Sequence, residues 1–192
     1  GETRDGINAR NYGTDLTINA ATTEGGRYGI YAQNSGTGAL SITTTGTTTG
    51  TTKDGIFANN SSAGASLTIN AATTTGGVNG IKAANSGTGA LSITTTGTTT
   101  GTVGDGIDAT ISSANSSSDI TINAATTTGG VDGINAIKAN LGGMFSNIFG
   151  TVAGIFGGIF SFVIVLVITF YMTVEESAIK RTLTYILPDK LQ

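Results

Sequence analysis

Residues 79–107 read NGIKAANSGTGALSITTTGTTTGTVGDGI, and this stretch decides the fold. It opens on Asn79-Gly80-Ile81, passes through Leu91-Ser92-Ile93 and closes on Asp105-Gly106-Ile107, where the pattern starts again. Apolar residues alternate with polar ones over short runs, Ile81 with Ala83 and Leu91 with Ile93. That alternation is the period of a strand with one buried face. β-Branched Thr, Val and Ile favour extended backbone, and no proline before Pro188 interrupts pairing.

Working outward, the same Gly-Ile step occurs at Asp5-Gly6-Ile7, Tyr28-Gly29-Ile30, Asp54-Gly55-Ile56 and Asp132-Gly133-Ile134. Successive glycines of the six steps lie 23, 26, 25, 26 and 27 residues apart. Between them recur Leu16-Thr17-Ile18, Leu40-Ser41-Ile42, Leu67-Thr68-Ile69 and Ile120-Thr121-Ile122. A period of about 25 residues built from two or three short strands fits one coil of a parallel β-helix. Equivalent residues then stack about 4.8 Å apart. The expectation is a mainly β, right-handed parallel β-helix of five to six coils over 1–138. Leu16, Leu40, Leu67, Leu91 and Ile120 form one internal ladder, and the six isoleucines another. Asn11, Asn34, Asn60 and Asn85 each follow their glycine by five residues, as an asparagine ladder would. A 51-residue period is superimposed, since 35–50 recurs at 86–101. Asn-Ala-Ala-Thr coils (Asn19, Asn70, Asn123) therefore alternate with Thr-Thr-Thr-Gly coils (Thr43, Thr94). A β-sandwich of antiparallel hairpins fits less well, because near-identical strands follow each Gly step. Calcium-binding nonapeptide repeats are excluded by their missing Gly-Gly-x-Gly-x-Asp signature.

Composition narrows the chemistry. The 192 residues include 30 Gly, no Cys and no His, with 11% charged residues and a net charge of −3. Without Cys there is neither a disulfide framework nor a thiolate metal site. Without His the commonest general base and metal ligand are gone together. Scattered basic residues argue against a nucleic-acid partner. No cofactor or metal site is expected. The chain starts at Gly1 with no secretory signal, and reads as a fragment or processed product.

The Asp-Gly-Ile and Leu-Thr-Ile-Asn units, over roughly 130 residues, resemble the passenger-type β-helix repeats of bacterial autotransporters and related adhesins. The resemblance implies a stalk or adhesive surface outside the cell, with a host-surface or carbohydrate ligand. Some β-helices are polysaccharide lyases or hydrolases, which need clustered carboxylates on one stacked face. Stacking would bring Asp105 and Asp132 together, with Asp108 and Asp119 nearby and Asp5 and Asp54 in other coils. Asp before Gly is among the commonest turn pairs, so these acids read as turn residues and no catalytic residues are expected. The threonine tracts offer a surface array of Thr43, Thr45, Thr47, Thr49, Thr94, Thr96, Thr98 and Thr100. Ice-binding β-solenoids use such arrays, although Gly46 and Gly97 interrupt the tracts here.

After Ile134 the text changes. No charge occurs between Lys138 and Glu175. Residues 155–172 are apolar enough, at about 27 Å of helix, to cross most of a bilayer core. The expectation is a transmembrane helix over 139–173, in contact with membrane lipid. Gly150, Gly154 and Gly158 lie four apart on one helix face, a spacing that lets helices associate as a homo-oligomer. Over 174–192, Ile179, Leu183, Ile186 and Leu187 recur at helical spacing, Glu176 can pair with Lys180, and Pro188 ends the run. That is a short amphipathic helix lying along the membrane interface. Lys180, Arg181 and Lys190 follow the span and only Lys138 immediately precedes it, which places the C-terminus in the cytoplasm and the solenoid outside.

Phe170-Tyr171-Met172, Val174-Glu175-Glu176 and Leu187-Pro188 resemble the AI-2E (PerM-like) transporter family. The likeness covers one span and its following helix, about 50 residues. It implies an alternative identity, a truncated permease fragment with a solenoid as external domain. The two resemblances are to unrelated families and meet near Ile137-Lys138, as an artificial fusion also would. Taken together, the sequence points first to a non-enzymatic, membrane-anchored extracellular β-solenoid of a bacterial cell, acting as an adhesin-like stalk or surface-binding module.

Overall fold

The computed structural model describes residues 4–112, 118–138, 162–167 and 169. The chain divides into two compact units, Gly1–Leu141 and Gly142–Gln192.

The first unit is a parallel β-solenoid of about five coils. One face carries β1 (Ile7–Asn11), β4 (Ile30–Asn34), β7 (Ile56–Asn60), β10 (Ile81–Asn85), β12 (Ile107–Ile111) and β14 (Ile134–Lys138). These strands pair in that order, every neighbour parallel. The second sheet holds the Leu-x-Ile strands β2 (Leu16–Ala20), β5 (Leu40–Thr44) and β8 (Leu67–Ala71). It also holds the short strands β3 (Thr23–Gly25), β6 (Thr48–Gly50) and β9 (Thr74–Gly76). Two longer strands, β11 (Leu91–Gly101) and β13 (Ile120–Gly129), run through both halves of it.

Each Gly-Ile step starts a strand of the first sheet because its isoleucine points inward. Ile30, Ile56, Ile81 and Ile107 are fully buried, each followed two residues on by a buried alanine. Leu40, Leu67 and Leu91, with Ile42, Ile69 and Ile93, close the core from the second sheet. Burying a side chain of this size stabilises by roughly 1.5–3 kcal/mol. The alanines keep the cross-section small enough for the two sheets to meet.

Glycine is required where coils touch. A Cβ on Gly55 would sit 2.6 Å from the Thr74 methyl and 2.7 Å from the Gly80 carbonyl oxygen. On Gly76 it would strike the Asn79 carbonyl oxygen.

The expected asparagine ladder is present. Asn11 Nδ2 donates to Asn34 Oδ1 at 2.8 Å, Asn34 to Asn60 at 2.9 Å and Asn60 to Asn85 at 3.0 Å. Each also ties down the turn after its strand, as Asn60 Nδ2 does on Ala65 O at 3.0 Å. The ladder stops at the next coil, where Ile111 takes the place of Asn.

In the second unit, residues 162–167 and Thr169 are helical, with Thr169 Oγ1 donating to Val165 O at 2.7 Å. Among the described residues no helix is long and apolar enough to cross a membrane. Most of the span expected over 139–173 lies outside the described residues, as do Gly150, Gly154, Gly158 and the amphipathic segment 174–192.

Candidate functional surface

Because the strands stack in register, each outward residue of a paired strand belongs to a column running along the solenoid. On the first sheet one column is Asn8, Tyr31, Phe57, Lys82, Asp108 and Asn135. Tyr31 and Phe57 stack with ring centroids 5.0 Å apart and planes within 5°. Tyr28, from the preceding turn, leans on both rings at 5.3 and 5.5 Å. Arg10 lies over Tyr31 and Arg27 over Tyr28. The faces of the stacked pair are turned along the column, against each other and Arg10. The cluster therefore stabilises the sheet as a cross-strand ladder, and its outward contribution is ring edges. Phe57 is the one phenylalanine outside the apolar C-terminal stretch, and the Gly-Ile spacing alone already sets it beside Tyr31.

Further along the same column Lys82 Nζ donates to Asp108 Oδ2 at 2.9 Å. That hydrogen bond holds the Lys82 ammonium above its ordinary pKa. Asp108 is thereby committed to Lys82 and does not form a carboxylate cluster with Asp105 and Asp132.

The acids preceding glycine form a different column, and its chemistry is structural. Asp54 Oδ1 accepts from Asn79 N at 3.0 Å and from Asn79 Nδ2 at 2.9 Å. Asn79 Oδ1 accepts from Asp105 N at 2.8 Å, and Asp105 Oδ1 from Asp132 N at 3.1 Å. Each side chain thus caps a backbone N–H one coil on, which explains why Asp or Asn recurs there. Asp5 accepts from Asn8 Nδ2 at 2.8 Å, and Asp119 pairs with Lys138 at 3.3 Å on the surface. Among the described residues no group of three acidic side chains is placed to hold a metal ion.

Asp54 is only 5% exposed. Burial pushes its carboxyl above the usual range, opposed by the two hydrogen bonds from Asn79 and the charge of Lys82. An acid whose pKa is raised on folding binds its proton more tightly in the folded state. Its unfavourable contribution is therefore full above the raised value and fades as pH falls towards the ordinary 3.8. Asp54→Asn, which keeps the Oδ1 acceptor, is expected to raise Tm at pH 7. The difference from the wild type should close as pH falls to about 4. Thermal melts across that range check it, and a variant less stable at pH 7 would contradict the assignment.

All eight threonines of the expected array face outward, but they fall into separate columns. Thr43 and Thr94 share one with Asn19, Asn70 and Asn123. Thr45 and Thr96 stand exposed at the corner between the two halves of the second sheet. Thr47 lies beside Thr22 and Thr73 just before the short strands, where Thr23 N donates to Thr47 O and Thr48 N to Thr73 O, and Thr98 pairs with Thr126. Thr49 and Thr100 join Glu24, Thr75 and Thr128. The sequence reading missed Thr22, Thr73, Thr75, Thr126 and Thr128. Counting back from the glycines Gly25, Gly50, Gly76, Gly101 and Gly129 would have found them, three residues and one residue before each.

Comparison with known protein families, curated proteins and solved structures finds no match to this chain. The likenesses to autotransporter passengers and to AI-2E transporters stand on the quoted motifs alone, and the parallel β-solenoid stands on the strand pairing.

Proposed function

We propose that this chain is a non-enzymatic, right-handed β-solenoid carried outside a bacterial cell as an adhesin-like stalk or surface-binding module. Its apolar C-terminal segment is the membrane anchor. The observation that carries this reading is the unbroken parallel pairing of strands from β1 to β14. Paired backbone and the apolar core run from coil to coil, joined by the asparagine ladder from Asn11 to Asn85 and by the side-chain caps from Asp54 to Asp132. A stack of coils that each pair with the next suits display at a distance from a membrane, while its outer columns vary from coil to coil. The uncharged stretch between Lys138 and Glu175 supports the anchor, and the Lys and Arg excess after it supports an external solenoid.

Expression of the full chain behind a bacterial secretory signal tests this. The full chain should fractionate with membranes, and external protease should remove the solenoid from intact or outer-membrane-permeabilised cells. Deletion of 139–192 should release a soluble protein with the same β-type circular dichroism. A solenoid protected from protease in such cells, or a full chain that stays soluble, would contradict the proposal. Binding to host-cell or carbohydrate-coated surfaces then identifies the ligand.

A further inference from the structure

The short strands of the second sheet place two outward columns side by side. The first lies one residue before the short strands and runs Thr22, Thr47, Thr73, Thr98 and Thr126: Thr23 N donates to Thr47 O, Thr48 N donates to Thr73 O, and Thr98 pairs with Thr126 just past the register shift of β11. The second, two residues on, is Thr49, Thr75, Thr100 and Thr128, preceded by Glu24 in the first coil. Nine of these ten positions carry the same neutral side chain, and the single charge sits at one end.

The geometry of such a face is fixed by the backbone. Successive coils repeat at about 4.8 Å, and residues i and i+2 of a strand lie about 7 Å apart. Hexagonal ice repeats its oxygen positions at intervals close to both. Threonine is β-branched and stiff at χ1, so each position holds a hydroxyl and a methyl in a set orientation. The residue between the two columns anchors the strand from inside. Thr48, Thr74 and Thr99 are fully buried, their methyls filling the space over Gly29, Gly55 and Gly80. A lattice of hydroxyl and methyl groups, neutral at all but the Glu24 end, complements an uncharged lattice of ordered water. A protein or polyanionic partner would call for charged or aromatic anchors, and this face carries only Glu24, at one end.

We propose that this two-column threonine face binds the surface of ice. The proposal is independent of the stalk reading, because it concerns one face of the solenoid and holds with or without a membrane anchor.

The test uses the full chain in detergent-containing buffer, with the buffer alone as blank, and measures partition into a slowly growing ice front. The wild type is expected to be taken into the ice and to inhibit ice recrystallisation. Thr98→Tyr, inside the first column next to its last member, should lower the incorporated fraction at least about tenfold. Ser92→Tyr lies on the same strand β11 but on the neighbouring half of the sheet, and should leave it unchanged. Glu24→Thr completes the second column and should raise it. Circular dichroism and thermal melts establish that all three variants are folded. Exclusion of the folded wild type from ice overturns the proposal, as does equal loss in Thr98→Tyr and Ser92→Tyr.

Discussion

Replacing Asn60 by alanine is expected to destabilise the solenoid by about 3–5 kcal/mol, read as a fall in the urea midpoint. Asn60 is fully buried in the middle of the ladder. Its side chain accepts from Asn34 Nδ2 at 2.9 Å and donates to Asn85 Oδ1 at 3.0 Å and Ala65 O at 3.0 Å. Truncation removes all three bonds together and leaves a cavity the size of an amide. A buried polar group left without its partner costs roughly 1–3 kcal/mol, and here more than one is affected. The turn over 61–66 also loses its tether, because Ser66 O accepts from the same Nδ2 at 3.3 Å. Asn11, at the exposed end of the ladder, supplies the control. Asn11→Ala should cost only about 1 kcal/mol, since its contacts lie near solvent. Equal losses in the two variants would mean that the ladder is not a buried, cooperative element.

Gly55→Ala is expected to cost about 3 kcal/mol or more, by overpacking rather than by loss of a bond. The added Cβ would meet Gly80 O at 2.7 Å and Thr75 O at 2.8 Å, both backbone atoms of the next coil. Those atoms cannot rotate away. The coils must separate locally, which weakens the bonds from Gly55 N to Asn79 O and from Ile56 N to Gly80 O, both 3.0 Å. Gly13→Ala is the matched control. Its Cβ meets only Asn11 Oδ1 at 3.4 Å, an ordinary contact, and stability should change by no more than about 0.5 kcal/mol. Denaturant melts of the two variants separate a glycine needed for coil contact from one that merely occupies a turn.

The parts of this fold legible in sequence are those that repeat at the coil period. The Gly-Ile steps fix where each coil begins, so the isoleucine, leucine and asparagine columns follow from counting. The aspartates before glycine were legible as turn residues, but not as caps on the N–H of the next coil, which depends on stacking. The threonine face was hidden by a change in spacing at one corner. Coils carrying Gly46 or Gly97 hold one more residue between the Leu-x-Ile strand and the short strand than their neighbours do. The pairing of β11 with β13 accordingly shifts register between Thr95 and Thr98. Counted from Ile42 or Ile93, the threonines of adjacent coils fall out of phase. Counted from the glycine that ends the short strand, they align. The aromatic ladder was overlooked because Tyr28, Tyr31 and Phe57 come from only two coils, so no repeat draws attention to them.

Pulsed electron spin resonance between two outward residues of one column tests the in-register stacking on which every site here depends. The chain has no cysteine, so Thr17→Cys with Thr121→Cys gives a doubly labelled protein without removing any native thiol. These positions share the column Thr17, Ser41, Thr68, Ser92 and Thr121, four coil steps end to end. A single narrow distance near 19 Å, four steps of about 4.8 Å, is the predicted result. A broad distribution, or a narrow one centred far from that value, would contradict the parallel solenoid and with it the columns.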